Sequence, residues 1–216
     1  MKRLLLLFAF GLAFATPAYA QLSPGTSGFS SAPTTASEAE YWIMIRRLGV
    51  CLADAKHHQS ITFITSSPGS KEEDAAFSEL FHRNTNRCMG NFVSASMLRN
   101  HVRGSVAEGL LNLMDEEEIR KAVILPSQAP EEIRSIHEFA YCYVANHPQT
   151  AYQFLDETRV GTKGEIAAIR QMATDFGPCL PEGVSIEINP VNVRAAIAEA
   201  YYRLLTAMPP AQLQGS

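Results

Sequence analysis

Short-range cysteine pairs are missing from this chain. Only four cysteines occur among 216 residues, and no two stand in a C-x-x-C or C-x₂₋₄-C arrangement. A zinc site or a dithiol redox pair needs that spacing, so both are argued against. Enzyme motifs are missing as well. There is no H-E-x-x-H, G-x-S-x-G, S-x-x-K, Walker loop or G-x-G-x-x-G. Gly161-Thr162-Lys163-Gly164 has the wrong glycine spacing for a phosphate loop. A basic excess is lacking too, since 18 Lys and Arg face 22 Asp and Glu. That balance argues against nucleic acid or an anionic membrane surface as a partner. No stretch is long enough to span a bilayer: the run Leu4 to Ala15 covers 12 residues, against the roughly 20 required.

That run has another reading. Lys2 and Arg3 precede it, and Ala18-Tyr19-Ala20 gives a small-x-small cleavage site. Residues 1–20 are therefore expected to be a secretory signal peptide, cut after Ala20. Without Lys2 and Arg3, 16 basic residues face 22 acidic ones, a net charge of −6. The expected location is periplasmic or secreted. Residues 21–37, rich in Ser, Thr, Pro and Gly, read as a disordered linker, and 208–216 as a loose tail.

Export changes the meaning of the cysteines. An even count in an oxidising compartment is read first as disulfides. Cys51 and Cys88 lie 37 residues apart, as do Cys142 and Cys179. Local pairing is the simplest connectivity, although pairs crossing between copies also respect the symmetry. A shift of 91 residues superposes the two cysteine pairs and matches 12 of the 72 positions in 42–113. The matches include Phe63/Phe154, Arg103/Arg194 and Glu108/Glu199. A duplication follows, with unit 1 at 38–114, a connector at 115–129 and unit 2 at 130–207.

Both units read as helical. Trp42, Ile45, Leu48 and Leu52 recur at helical steps, as do Ile133, Ile136, Phe139 and Tyr143. Ser70-Lys71-Glu72-Glu73 and Thr162-Lys163-Gly164-Glu165 are capping boxes. Asn189-Pro190 opens the last helix of unit 2. Residues 61–65 and 184–188 also fit short strands, the latter pairing with 92–95. The expected fold is mainly α, with two duplicated helical units packed as one pseudo-symmetric domain, each holding one disulfide, and with room for a short strand pair. Asp115 to Glu118 reads as an acidic first helical turn, since a calcium loop needs a glycine turn that this run lacks.

Candidate chemistry is sparse. Surface or turn positions are the default for the six histidines, His57, His58, His82, His101, His137 and His147. The repeated charged pair Arg103/Glu108 and Arg194/Glu199 is the specific lead. Five residues apart on a helix means about 140° apart in direction, so neither pair closes on its own helix. They suit pairing across the pseudo-two-fold, a helix brace, or contact with a ligand in a groove. No catalytic, metal-ligating or cofactor-binding residue is expected.

The leader, the Cys-x₃₆-Cys units, the Ser-Pro-Gly-Ser-Lys-Glu-Glu-Asp turn and the Arg-x₃-Ala-Glu helix resemble a group of uncharacterised exported alphaproteobacterial proteins. The resemblance implies no activity, substrate or catalytic residue. The functional expectation is an exported non-enzymatic binding or protein-interaction module of the cell envelope, with an unknown protein or small-molecule partner. The alternative is a cell-envelope hydrolase with dispersed acid, base or metal-ligand residues, and a purely structural envelope protein is a third reading.

Overall fold

The structure, a computed structural model, describes residues 38–82, 86–89, 97–180 and 189–206. The leader, the linker, the tail and the segments 92–95 and 184–188 lie outside the described residues. Among those described there are ten α-helices and no strand. In order these are α1 (Glu38–Ala55), α2 (His57–Thr65), α3 (Lys71–Leu80), α4 (Asn86–Met89), α5 (Arg99–Leu111), α6 (Glu116–Lys121), α7 (Ile136–Asn146), α8 (Pro148–Glu157), α9 (Lys163–Met172) and α10 (Pro190–Thr206). The mainly α fold is what the helical periodicity implied.

The alternative of a strand at 61–65 gives way to α2. Phe63 and Ile64 are both buried there, and the hydroxyls of Thr62 and Thr65 donate to His58 O and Ile61 O one turn back. A threonine bonded in this way is content in a helix despite its branched β-carbon.

α5 and α10 cross at the centre. Every residue from Asn100 to Leu111 is buried, and so are nearly all from Val191 to Leu205. α1 packs on α5, and α7 packs on α10. One cluster of buried apolar side chains runs through both halves, from Leu52, Phe63 and Val106 to Phe139, Ile197 and Leu204. The crossing is tight because small residues line it. A Cβ on Gly104 would lie 2.2 Å from Ala195 Cα. The packing of α1 on α5 is as close, since a Cβ on Gly49 would lie 2.3 Å from the Ser105 carbonyl carbon.

The disulfides are local, Cys51–Cys88 and Cys142–Cys179. Each closes a long loop, worth about 3–4 kcal/mol in the chain-entropy account. The second cysteine of each pair lies past the third helix and not on it. Cys88 belongs to the short α4, and Cys179 to the 3-10 turn Gly177–Cys179. Each bridge thus fixes a short terminal turn against the first helix of its unit.

The capping boxes form with a variation. Ser70 Oγ accepts from Glu73 N–H at 3.1 Å, and Thr162 Oγ1 from Glu165 N–H at 3.3 Å. Each glutamate reaches back one residue further than usual, to Gly69 N–H and Gly161 N–H, both at 2.7 Å. Both glycines have positive φ, 77° and 73°, a region that glycine enters without steric cost. The return bond uses one carboxylate oxygen and leaves the other aimed at the core. Among the described residues no helix is long and apolar enough to cross a membrane.

Candidate functional site

The repeated Arg and Glu residues converge where α5 crosses α10, and they exchange partners. Arg103 Nη2 donates to Glu199 Oε1 at 2.6 Å. In return Arg194 binds Glu108 with two bonds, Nη2 to Oε1 at 2.7 Å and Nε to Oε2 at 3.1 Å. Each arginine also binds the capping glutamate of its own unit: Arg103 meets Glu73 at 3.0 Å, and Arg194 meets Glu165 at 3.4 Å. Both arginines are at most 1% exposed.

The rest of each guanidinium serves the end of the second helix in its unit. Arg103 donates to the carbonyls of Phe63 and Ile64 at 2.9 Å and of Ser66 at 3.0 Å. Arg194 donates to Leu155 O at 2.9 Å and Thr158 Oγ1 at 2.7 Å. Those carbonyls are the orphan acceptors of a helix C-terminus. Phe63 and Phe154 each lie 5.2 Å from the arginine of their unit, ring centroid to Cζ.

The first helix of each unit completes the lattice. Arg46 Nε donates to Glu108 Oε1 at 2.8 Å, while His137 Nδ1 stands 3.2 Å from Glu199 Oε2. These two occupy one repeat position, 91 residues apart. Arg203 approaches Glu199 at 3.5 Å, and Arg99 approaches Glu73 at 3.6 Å.

Burial alone would push Glu199 and Glu108 toward protonation. Arg103 and His137 outweigh it at Glu199, and Arg194 and Arg46 at Glu108, so both carboxyls are held below their ordinary range. Glu165 goes the other way. Its burial outweighs the Gly161 N–H and Arg194, and its carboxyl titrates above the ordinary value. Arg103 is held more firmly protonated: burial opposes its charge, but Glu199 and Glu73 prevail.

The sign of the pH dependence follows. A depressed carboxyl contributes stability above its unfolded pKa of about 4.3 and loses it as the pH falls through the folded value. Glu165 has the opposite sign, contributing at low pH and losing that contribution as the pH rises through its raised value. Two depressed carboxyls oppose one raised, so the urea midpoint is expected to fall once the pH drops below about 4.5. The variant Glu199→Gln, already weaker at pH 7, loses less on acidification. A midpoint flat from pH 7 to 3 would contradict this lattice.

The other expected ligand types are scattered. His57, His58 and His82 are exposed. His101 is not a surface residue; it is buried between Tyr41, Trp42 and Asn192. His147 stacks on Tyr143 at 5.0 Å. Among the described residues no three His, Cys, Asp or Glu stand together to hold a metal. Asp115 caps α6 by accepting from Glu117 and Glu118 N–H, so the acidic run opens a helix.

Beside the lattice, two clefts of about 360 and 650 Å³ adjoin along α6 and α8. Ile119, Tyr152 and Asp156 line both. Tyr152 stacks on Tyr201 at 5.9 Å. Burial pushes the Tyr201 hydroxyl up to about 12. It also raises Tyr152, with Asp156 and Glu116 adding to the effect. Beyond α6 the chain is extended: Ile124 turns inward, while Val123 and Leu125 are 58% and 47% exposed.

The four charged residues singled out in the sequence, Arg103, Glu108, Arg194 and Glu199, are thus all at the crossing. Glu73, Glu165, Arg46 and His137 belong there too and were missed as lattice members. Their signal was legible: each capping glutamate sits in a repeated motif, and Arg46 and His137 are cation-forming residues at one repeat position. The chain matches no protein-family model, no curated protein and no solved structure.

Proposed function

We propose that the chain is an exported, non-enzymatic binding module that presents a protein-interaction surface in the cell envelope, with the periplasm as its compartment. One observation carries this reading. The four deepest carboxylates, Glu73, Glu108, Glu165 and Glu199, are each engaged by a buried arginine at the helix crossing, where their lone pairs brace the fold. Glu108 also lines the smaller cleft, and there Arg194 and Arg46 hold its oxygens, whereas a general acid or base needs a proton-accepting group free to face substrate. The clefts along α6 and α8 offer apolar and aromatic floors with exposed polar walls, which suits recognition. Two disulfides fit an oxidising compartment.

The test is site-specific photo-crosslinking in an exporting host. A photoreactive residue replaces exposed Val123 in one variant and exposed Ser78, remote on α3, in another. A discrete protein adduct from position 123, absent from position 78 and found in the periplasmic fraction, supports the module. Turnover of a peptidoglycan, lipid or peptide substrate by the purified protein, abolished in a folded Glu108→Gln variant, would overturn it in favour of the hydrolase.

A further inference from the structure

The two halves repeat each other down to single hydrogen bonds, so places where they differ are informative. The larger of the two clefts along α6 and α8 lies on such a difference. At the repeat positions of Tyr152 and Tyr201 the first half has Ile61 and Leu110, and at those of Asp156 and Glu157 it has Thr65 and Ser66. α6, which walls the cleft, belongs to the connector and, among the described residues, has no counterpart in the first half. The packing that both halves share does not require this surface.

Its chemistry is directional. Ile119, Ile124, Tyr152 and Tyr201 give an apolar floor. Asp156 and Glu157 stand exposed on the α8 side, and among the described residues neither has an ion pair. On α6, Arg120 and Lys121 are already paired with Glu116 and Glu117 at 3.1 and 3.3 Å. The surplus charge at the cleft is therefore negative. Ala122, Val123 and Ile124 form its edge, with Val123 exposed. A volume of about 650 Å³ accommodates a few residues of peptide.

We infer that the α6–α8 cleft binds an extended segment of another protein that carries Lys or Arg on either side of one apolar side chain. The apolar side chain enters over Tyr152 and Tyr201, and the flanking cations meet Asp156 and Glu157. This rests on the binding-module reading and names its partner's chemistry.

The test uses the full mature chain, isotope-labelled, with three probes. These are a blocked Lys-Val-Lys-Leu-Lys peptide, the same peptide with glutamates in place of lysines, and an uncharged chito-oligosaccharide. The cationic peptide alone is expected to shift the amides of Ile119, Val123, Gln153 and Asp156. Its affinity falls severalfold between about 50 and 300 mM salt, because the pairs are exposed and screened. The double variant Asp156→Lys, Glu157→Lys loses about tenfold or more in affinity, and its unfolding midpoint stays near the parent's, since both side chains are exposed. Equal binding of the acidic peptide or the sugar, shifts elsewhere, or no response to the cationic peptide overturns the inference. If the Val123 photo-adduct persists while the peptide fails, the partner chemistry is wrong and the module stands. If both fail, the module falls too.

Discussion

Replacing Arg103 with methionine is expected to cost about 3–5 kcal/mol, the range seen when one partner of a buried ion pair is removed. The substitution keeps most of the side-chain volume, so packing is a minor part of the loss. What it strands is polar. Glu199 loses its 2.6 Å donor, Glu73 its 3.0 Å donor and the Ile64 carbonyl its 2.9 Å donor, while the Phe63 carbonyl keeps Ser66 Oγ at 2.7 Å and the Ser66 carbonyl keeps Arg203 at 3.4 Å. His137 and Arg203 still face Glu199, which keeps the cost from being larger. Urea denaturation at pH 7 measures it. Adding Glu199→Met to Arg103→Met should cost less than the two single losses summed, because the stranded charge is then gone. Strict additivity would mean that the Arg103–Glu199 pair does not couple the halves.

A second expected result concerns the crossing point. Gly104→Val should destabilise the protein by about 3 kcal/mol or more, beyond ordinary overpacking, because the obstacle is backbone. The first added carbon alone would sit 2.2 Å from Ala195 Cα and 2.4 Å from its carbonyl oxygen. Neither atom swings aside as a side chain does, so α5 and α10 must separate, and the Arg–Glu exchange would stretch with them. Gly164→Val is the control. A Cβ there meets only Thr162 Oγ1, at 3.5 Å, and the change should cost about 1 kcal/mol or less. Thermal unfolding of the two variants side by side reads the difference. Equal midpoints would mean that the close approach at Gly104 is not a constraint.

Much of this was legible in the residues before any coordinates. Helical periodicity in 41–52 and 133–143 marked the first helix of each unit, and both cap hydroxyls lie where Ser70 and Thr162 predicted. Equal cysteine spacing pointed to the local disulfides found here. Other features were not legible, for physical reasons. Ile61-Thr62-Phe63-Ile64-Thr65 has strand-forming side chains, and only the i−4 hydroxyl bonds and the burial of Phe63 and Ile64 decide for a helix. Nothing in the residues after Phe77 and Leu80 marks the break before Cys88, yet that helix stops at Leu80. At the centre, a five-residue offset excluded pairing within one helix but did not name the carboxylate each arginine would meet. That choice depends on the crossing of α5 with α10, which small residues permit and no local pattern encodes. The α6–α8 cleft was the least legible, since it joins a connector helix to α8 across about thirty residues of chain.

The reciprocal Arg–Glu exchange also sets an order of events. Glu199 lies 96 residues beyond Arg103, and Arg194 lies 86 beyond Glu108. The bonds of Arg103 to Glu199 and of Glu108 to Arg194 therefore wait for α10. A polypeptide emerging from its N-terminus carries Arg103 and Glu108 through some ninety further residues with their deepest counter-charges still to come. Both disulfides are short-range by comparison and can close early. Oxidation can thus precede charge matching, and a chain halted before Glu199 should be cross-linked in its first half yet unsealed at its centre. The seventeen-residue α10 works as a bolt, driven home only once the helices before it are in place.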